Sequence, residues 1–259
     1  MNSDNNILDI IVSSARKRVE RDKQAGLPKQ NPWRRIPFQF EKELRGEDIS
    51  FICEIKKASP SKGILSEDFP YLEIAREYES GGAAAISVLT EPDFFQGSDR
   101  YLSEIRDVVK VPLLRKDFII DRFQIEQSAR LGADAILLIC SILSPSELTG
   151  FIREADSFGL SCLVEIHDER ELEIALAAGA RVIGVNNRDL KTFDVDMNNS
   201  IHLRRLTPKD KLFVSESGIK DAGDISVLRR HRVDAVLVGE ALMSSPDRKE
   251  ALKQLKLVM

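Results

Sequence analysis

Residues 51–63 have the sequence FICEIKKASPSKG, an apolar stretch that carries two charged side chains, Glu54 and Lys56. In an extended strand successive side chains alternate between the two faces, so these two share one face while Cys53 and Ile55 share the other. A carboxylate and an ammonium group inside a core are costly unless they are paired, hydrogen-bonded or used on a ligand. The same anomaly recurs at the ends of later strands, which indicates a functional site.

Short apolar runs alternate with longer amphipathic segments along the rest of the chain. The predicted strands are 51–56, 84–89, 111–116, 135–139, 161–166, 182–186, 212–216 and 235–239. Helix-like segments such as FQIEQSARLGA (123–133) contain a Gly just before the next strand, as a helix C-terminus commonly does. Strands rich in Ile, Leu and Val on both faces, each followed by a helix, indicate a parallel sheet that is buried on both sides.

Eight such strands in 259 residues predict an α/β protein with a closed (β/α)₈ TIM barrel. A doubly wound open sheet is the competing architecture, but no GxGxxG follows the first strand, and polar residues end most of the strands rather than only those at one switch point. We expect one domain over 1–259, with an N-terminal extension at 1–48 and the barrel at 49–259. The extension contains an amphipathic helix, because Ile7, Ile11, Ala15 and Val19 recur at every fourth position.

Composition excludes several classes of function. A net charge of −4 argues against general binding to nucleic acid or to acidic membranes, and no apolar run approaches membrane-spanning length. Three widely spaced cysteines in apolar runs predict small buried side chains in a reducing, cytoplasmic compartment. The three histidines lack metal-type spacing; we expect His202 and His231 on the surface or in packing and His167 at a loop edge.

Charged and polar groups end most of the predicted strands. Each lies two or four positions from an inward-facing apolar residue, so it is predicted to point to the same face of its strand. These groups are Glu54, Lys56, Lys116, Glu165, Asn186 and Glu216. In a barrel they point into the upper lumen at the carboxyl end, where barrel active sites lie. An ion pair that merely plugs the lumen explains one such pair but not the whole set, since an apolar plug costs less free energy. Proton transfer needs this combination: a lysine near a second cation is a better acid, and a desolvated carboxylate accepts protons.

Two glycine-containing loops predict a phosphate site. SESGI (215–219) ends the seventh strand and VGEAL (238–242) ends the eighth, and glycine lets backbone N–H groups approach an anion there. We expect the Glu240 side chain to turn outward while its amide faces the anion. Phe95 and Phe118, on loops after the second and third strands, predict a flat apolar pocket at the same mouth.

These motifs together resemble the indole-3-glycerol phosphate synthase family over nearly the whole chain. The segments that carry the resemblance include ILDIIVSSARKRVE, EIKKASPSKG, LTEPDFFQGS, LLRKDFIID, VEIHDEREL, IGVNNRDLKTF, VSESGI and LVGEALM. The resemblance implies a carbon–carbon carboxy-lyase of tryptophan biosynthesis. Its substrate would be 1-(2-carboxyphenylamino)-1-deoxyribulose 5-phosphate, a small phosphorylated aromatic molecule, and neither a metal nor an organic cofactor would be required.

The resemblance also implies roles for individual residues. Lys116 matches the general acid, Glu165 the acid/base group of the dehydration, and Lys56, braced by Glu54, the second essential lysine. The remaining matches are Asn186 and Glu216 for orientation, Ser59 and Arg188 for polar substrate groups, Phe95 and Phe118 for the aromatic ring, and Ser217, Gly218, Gly239 and Glu240 for phosphate. Arg122 and Phe123 stand where the family often has Pro-Tyr, which leaves the geometry of that loop open.

Three alternatives remain open on sequence grounds. A Schiff-base phosphosugar aldolase would also use a desolvated barrel lysine. A non-catalytic phosphometabolite-binding barrel is the second alternative, although binding a phosphate requires neither Glu165 nor Glu216. The third is the related isomerase of the same pathway, whose Amadori rearrangement needs an acid/base pair that the paired lysines fit less well. The sequence does not determine the oligomeric state and is compatible with a monomer.

Overall fold

Eight parallel strands close into a barrel in the computed structural model, which describes residues 7–66, 68–189 and 192–257. The strands are β1 (Ser50–Ile55), β2 (Ala85–Leu89), β3 (Leu113–Lys116), β4 (Ala135–Ile139), β5 (Ser161–Ile166), β6 (Val182–Asn186), β7 (Leu212–Glu216) and β8 (Ala235–Val238). Each strand pairs with its neighbours in chain order, and β1 closes the barrel by pairing with β8. The predicted (β/α)₈ architecture is therefore confirmed.

Helices surround the barrel and precede it. Their bounds are α1 (Ile7–Ala25), α2 (Gln39–Glu43), α3 (Tyr71–Ser80), α4 (Pro92–Phe95), α5 (Asp99–Arg106), α6 (Arg122–Leu131), α7 (Pro145–Ser157), α8 (Glu169–Ala177), α9 (Asn198–Leu206), α10 (Ala222–Arg230), α11 (Glu240–Met243) and α12 (Arg248–Lys256). A short hairpin follows β1, formed by Ala58–Ser59 and Gly63–Ile64. None of the helices that the structure describes is long and apolar enough to cross a bilayer.

Residue parity along the strands separates two apolar layers, as the sequence predicts. One layer fills the lumen with side chains from alternate positions, among them Ile52, Ala85, Leu114, Leu137, Leu163, Val182, Val214 and Leu237. The other layer packs the outward positions against the helices. Because the lumen layer shares parity with Lys116, Glu165 and Glu216, these charged side chains continue it at the carboxyl end.

Helix α2 closes the opposite end of the barrel. Phe40 and Leu44 are buried in the lumen cluster, at relative exposures of 0% and 1%. Arg181, directly before β6, pairs with Glu41 at 3.0 Å and with Asp156 at 2.7 Å. The extension thus supplies the floor of the barrel, a role that the sequence pattern did not reveal.

Strand boundaries differ from prediction by one or two residues at four strands. The first strand ends at Ile55, so Lys56 lies just beyond the sheet, and the third begins at Leu113 because Pro112 has no N–H to donate to the ladder. The second strand begins at Ala85 and the eighth ends at Val238, after which Gly239 precedes α11. The predicted motif at 183–193 includes residues 190 and 191, which lie outside the described part of the chain.

Candidate active site

Lys116 lies between two glutamates at the carboxyl end of the barrel. Its Nζ is 3.3 Å from Glu165 Oε2 and 3.1 Å from Glu216 Oε2. The lysine comes from β3 and the carboxylates from β5 and β7, so only barrel closure brings them together. All three side chains are largely buried, with relative exposures of 14%, 4% and 3%. The predicted convergence of these groups is confirmed.

Glu54 and Lys56 form a second ion pair on the adjacent side of the lumen. Lys56 Nζ donates to Glu54 Oε2, and Glu54 is buried while Lys56 is half-buried. Gly239 borders this pair, because a Cβ atom there would overlap the Glu54 carboxylate. The glycine predicted for phosphate binding therefore also makes room for a buried glutamate.

The charges of this cluster shift pKa values in opposing directions. Burial alone lowers the pKa of Lys116, but Glu216, Glu165 and Glu54 outweigh it, so the pKa of the ammonium is raised. Burial raises the pKa of Glu216 to about 7, against the opposing effect of Lys116 and with a further contribution from Glu165. Burial also disfavours the ionised form of Glu54, yet Lys56 and Lys116 hold its pKa below the usual value.

These shifts correct one expectation from the sequence. A second cation was expected to make the lysine more acidic, but the nearest charged groups around Lys116 are carboxylates, and Lys56 is paired with Glu54. Lys116 is therefore protonated at neutral pH and releases its proton only when the balance of charge around it changes.

Asn186 ends β6 with its side-chain amide held in one orientation. Its Oδ1 accepts hydrogen bonds from Ser217 Oγ at 2.9 Å and from the Arg188 backbone N–H at 3.1 Å. Its Nδ2 is then directed toward Glu165 Oε1, at 3.5 Å. The prediction that Asn186 lies with the charged groups is confirmed, and its two oxygen-side partners explain why the amide does not turn around.

The loop after β7 has a backbone that few sequences adopt. Ser217 and Gly218 both have left-handed backbone angles, with φ of 67° and 90°. A side chain at Gly218 would approach Val195 to 2.5 Å, so the glycine is also required by close packing of the loop after β6. Asn187 holds the loop, since its Nδ2 donates to Ser215 Oγ at 3.0 Å and to the Ser217 carbonyl at 3.1 Å.

Glu240 departs from its predicted orientation. We expect an outward side chain, but its carboxylate pairs with Lys62 at 3.1 Å and with Arg188 at 3.5 Å. Lys62 lies in the hairpin segment after β1 and Arg188 follows β6, so Glu240, at the start of α11, has cations from two different loops. Attraction to these cations is the physical reason for its orientation.

Phe95 and Phe118 lie side by side, as the aromatic pocket requires. Their ring centroids are 6.2 Å apart with an interplanar angle of 38°. Phe95 ends the short helix α4, whose first turn is capped by the Glu91 carboxylate through the N–H groups of residues 93–95. Both rings are half-buried and open to the same cavity.

One cavity of about 660 Å³ unites the predicted site. All fourteen predicted site residues line it, including Ser59 from the hairpin segment. Sequence reasoning missed the apolar wall formed by Ile7, Leu8 and Ile11 of α1. Their helical spacing was visible, but nothing in it distinguished packing on the barrel from lining a cavity.

A buried ion network behind the aromatic pair was also missed. Arg18 of α1 donates to Asp117 Oδ1 at 2.5 Å and pairs with Glu91 at 3.3 Å. Asp117 also accepts from Thr90 Oγ1 at 2.7 Å and pairs with Arg115 at 3.3 Å. Because Asp117 lies between Lys116 and Phe118, this network connects α1 to both Lys116 and the aromatic pair.

Arg122 and Phe123 do not approach the site. Arg122 begins α6 and pairs with Glu154 of α7 at 2.7 Å, and Asp121 caps the helix through a capping box. The sequence left the geometry of this loop open. In the structure the two residues form the regular first turn of α6, on the outside of the barrel.

Solved structures of other proteins share this fold at low sequence identity. The crystal structure of KGPDC from Streptococcus mutans aligns with a TM-score of 0.64 at 11% identity, over 81% of this chain and 96% of that chain. The 3-hexulose-6-phosphate synthase from Salmonella typhimurium gives a TM-score of 0.66 at 15% identity, over 80% and 96%. At these identities the likeness supports the barrel fold alone.

Sequence comparison is far more specific. The sequence profile of indole-3-glycerol phosphate synthase matches residues 8–255. The indole-3-glycerol phosphate synthase of Ruminiclostridium cellulolyticum is 54% identical over 256 residues, covering 96% of this chain and 98% of that protein. That of Endomicrobium trichonymphae is 55% identical over 260 residues, covering 96% and 99%. The chain belongs to the indole-3-glycerol phosphate synthase family.

Proposed function

We propose that this chain closes the indole ring of 1-(2-carboxyphenylamino)-1-deoxyribulose 5-phosphate, with loss of CO₂ and water, to give indole-3-glycerol phosphate. The observation that carries the proposal is the position of Lys116 between Glu165 and Glu216 inside the cavity. Family membership supports the same reaction, which is a carbon–carbon carboxy-lyase step of tryptophan biosynthesis.

The two ends of the substrate fit opposite sides of the barrel mouth. The predicted phosphate loops follow β7 and β8, while the aromatic pair follows β2 and β3. Strands β3 and β7 are four positions apart in an eight-stranded barrel and so face each other. A phosphate held by Ser217, Gly218, Gly239 and Glu240, and an aromatic ring between Phe95 and Phe118, therefore place the intervening ketose over Lys116.

Lys116 acts as the general acid in this arrangement. As the ring carbon attacks the ribulose C2 carbonyl, the carbonyl oxygen gains negative charge and takes the lysine proton to become a hydroxyl group. Loss of CO₂ then breaks the bond between the attacking ring carbon and its carboxylate, and the electron pair of that broken bond returns to the ring. The Lys116 amine, now without its proton, lies beside Glu216. The pKa of Glu216, about 7, suits this carboxylate to share the proton that returns to the lysine.

Glu165 acts in the later dehydration step, and Lys56 binds an anionic group of the substrate. Glu165 lies on the other side of Lys116 and exchanges the protons needed for the hydroxyl to depart as water. Lys56, paired with Glu54, engages the substrate carboxylate or phosphate as a point charge. Asn186 orients Glu165, while Ser59 and Arg188 contact polar substrate groups at the rim.

Turnover of the proposed substrate tests the reaction directly. The purified protein is mixed with the carboxyphenylamino-deoxyribulose phosphate, and indole absorbance and fluorescence are followed with product identification by mass. Indole-3-glycerol phosphate is expected; its absence with folded protein would refute the reaction. Borohydride trapping during turnover examines the aldolase alternative, and covalent attachment at Lys56 or Lys116 would favour it.

Other features of the chain support a proposal about the compartment, the partner and the oligomeric state of the enzyme. Cys53, Cys140 and Cys162 are buried free thiols, which supports a reducing, cytoplasmic compartment. The partner is the small phosphorylated substrate rather than a macromolecule. One chain contributes every residue of the proposed site, so a monomer is sufficient for the reaction.

A further inference from the structure

His167 follows directly after β5 and lies two residues beyond Glu165, on the same face of the chain. Its Nδ1 is 3.1 Å from Glu171 Oε2, in the first turn of α8. Its Nε2 is 3.7 Å from Glu165 Oε1 and has no hydrogen-bond partner among the described residues, although that atom is buried. Each ring nitrogen therefore faces a carboxylate oxygen.

Only one protonation state of the imidazole suits this position. A neutral ring carries one N–H and one lone pair, so a neutral His167 would turn a lone pair toward one of the two carboxylates. The imidazolium presents an N–H on both sides, toward Glu171 and toward Glu165. The geometry therefore favours a cation at this position.

The ion pairs of the catalytic cluster point to the same charge on the ring. Glu54 pairs with Lys56, while Lys116 is shared between two buried carboxylates, Glu165 and Glu216. An unbalanced charge in a buried cluster is costly. A cationic His167, paired with Glu171 through Nδ1 and 3.7 Å from Glu165 through Nε2, places a second cation beside these carboxylates without entering the cavity lining.

Elements on several sides of the ring contribute to its environment. Glu171 of α8 and Glu165 of β5 lie beside it, and the charge of Glu216 of β7 also acts on it. Lys116 of β3 lies beyond Glu165, at 3.3 Å from the other oxygen of that carboxylate. On the α9 side, Asn199 Nδ2 donates to the His167 carbonyl at 2.9 Å and brings no charge. The direct neighbours of the ring are thus carboxylates.

We propose that His167 is a positioning residue of the catalytic cluster, a permanent cation that keeps the Glu165 carboxylate ionised and directed toward Lys116. The proposal rests on the role of Glu165 in the proposed reaction. The ring acts through Glu165 and does not touch the substrate, so its loss changes the pH range of catalysis rather than abolishing it. Burial lowers the pKa of His167, but Glu171, Glu165 and Glu216 outweigh it and raise the pKa to about 9.

A merely structural role makes different predictions. His167 also belongs to the start of α8, because its backbone N–H donates to Glu171 Oε2 at 2.8 Å. If the ring only supported this helix start, replacing it would lower stability and leave the pH dependence of turnover unchanged. A pH profile and a direct titration of the ring separate the two roles.

The first test compares kcat against pH for the wild-type enzyme and H167Q, whose amide is neutral. Removing a positive charge beside Glu165 takes away an attraction that stabilises the negative charge of the catalytic cluster, so the acidic limb of the kcat profile is expected to move up by about one pH unit, or about tenfold in kcat well below the limb. H202Q is the matched control, because His202 pairs with Glu169 on the exterior and its loss leaves the profile unchanged. An acidic limb that is the same in H167Q and wild type would overturn the proposal.

The second test reads the ring itself and needs no turnover. The chain has only three histidines, so the imidazole signals can be assigned by NMR with H167Q, H202Q and the corresponding variant of His231. His167 is expected to titrate well above the ordinary pKa of about 6.5, and lower by about one unit in E165Q, because the coupling between two charges is reciprocal. A ring that titrates near or below 6.5 refutes the proposal even if the wild-type enzyme is active. An enzyme without turnover but with a high His167 pKa refutes the proposed reaction instead.

Discussion

At the scale of single residues, the free enzyme holds the Lys116 proton more tightly than the reaction needs. Two carboxylates stabilise the ammonium, and only the developing negative charge on the substrate oxygen competes with them. The proton then leaves an amine between two carboxylates, and Glu216 is suited to take up a proton at that moment because its pKa is about 7. The cluster thus stabilises the transition state of the reaction, and its buried charges lower the free energy of unfolding of the resting protein.

The pH dependence of stability measures that cost at Glu216. Its folded pKa of about 7 lies above the ordinary glutamate value of 4.5, so the native state binds more protons than the unfolded state between these pH values. The free energy of unfolding therefore falls as pH rises through this window. In E216Q this fall is absent, and we expect the variant to be more stable than wild type by about 1–3 kcal/mol at pH 8 but not at pH 4.5.

Urea unfolding at the two pH values checks this expectation, with the fluorescence of Trp33, the single tryptophan, as the signal. The control is E173Q, whose glutamate is exposed on α8 and should give the same difference from wild type at both pH values. A stability gain in E216Q that did not depend on pH would contradict the argument. Turnover by E216Q is expected to drop even where its stability rises.

At the scale of elements, the N-terminal helix is part of the site rather than an appendage. Helix α1 supplies the apolar wall of the cavity through Ile7, Leu8 and Ile11. Arg18 on the same helix pairs with Asp117 and Glu91, whose neighbours carry the two aromatic rings. One guanidinium group therefore fixes three elements relative to each other: α1, the loop after β2 and the loop after β3.

Replacing Arg18 with Met should weaken substrate binding more than it slows chemistry. The variant leaves Asp117 and Glu91 without a partner on α1, so the aromatic pocket loosens while Lys116 keeps Glu165 and Glu216. We expect kcat/KM to fall roughly tenfold, mainly through KM. R21M, an exposed arginine on the same helix, is the control, and R18K should restore part of the loss because it keeps the charge. An unchanged KM in R18M would show that α1 does not position the pocket.

The features that could be predicted from the sequence are those that depend on local periodicity. Glu165 and Glu216 could be placed in the lumen because successive side chains of any strand point to opposite faces of the sheet. The Arg18 network could not be predicted in the same way: its partners lie 73 and 99 positions away, and only the packed structure brings them together. The raised pKa of Lys116 and the orientation of Glu240 were missed for the same reason, since both depend on distances between loops.

At the scale of the whole molecule, stability and chemistry occupy opposite ends of the barrel, as they do in this fold generally. The carboxyl end contains the buried charges, while α2 closes the amino end with Phe40 and Leu44. We propose that the extension and the barrel form one domain, because the floor of the lumen belongs to the extension. Neither half is expected to unfold separately.

Truncation of Phe40 to Ala tests this division of the molecule. Phe40 is fully buried, so the cavity left behind should cost about 3–5 kcal/mol in the free energy of unfolding. Turnover at a temperature where the variant remains folded should be unchanged, because the floor lies at the end away from Lys116. I36A provides the control, since Ile36 is 53% exposed and its truncation should cost less than about 0.5 kcal/mol. Two separate unfolding transitions would argue against a single domain.

The proposal that Lys116 and its two carboxylates carry the reaction is tested most directly by turnover of K116M. Wild type, K116M and the control K110M, whose lysine is exposed outside the site, are compared with the proposed substrate. Binding of the product indole-3-glycerol phosphate is measured by calorimetry on the same samples. We predict that K116M loses about a thousandfold in kcat while it still folds and binds the product, and that K110M matches wild type. Near-normal turnover by folded K116M would contradict the assignment of Lys116 as the acid.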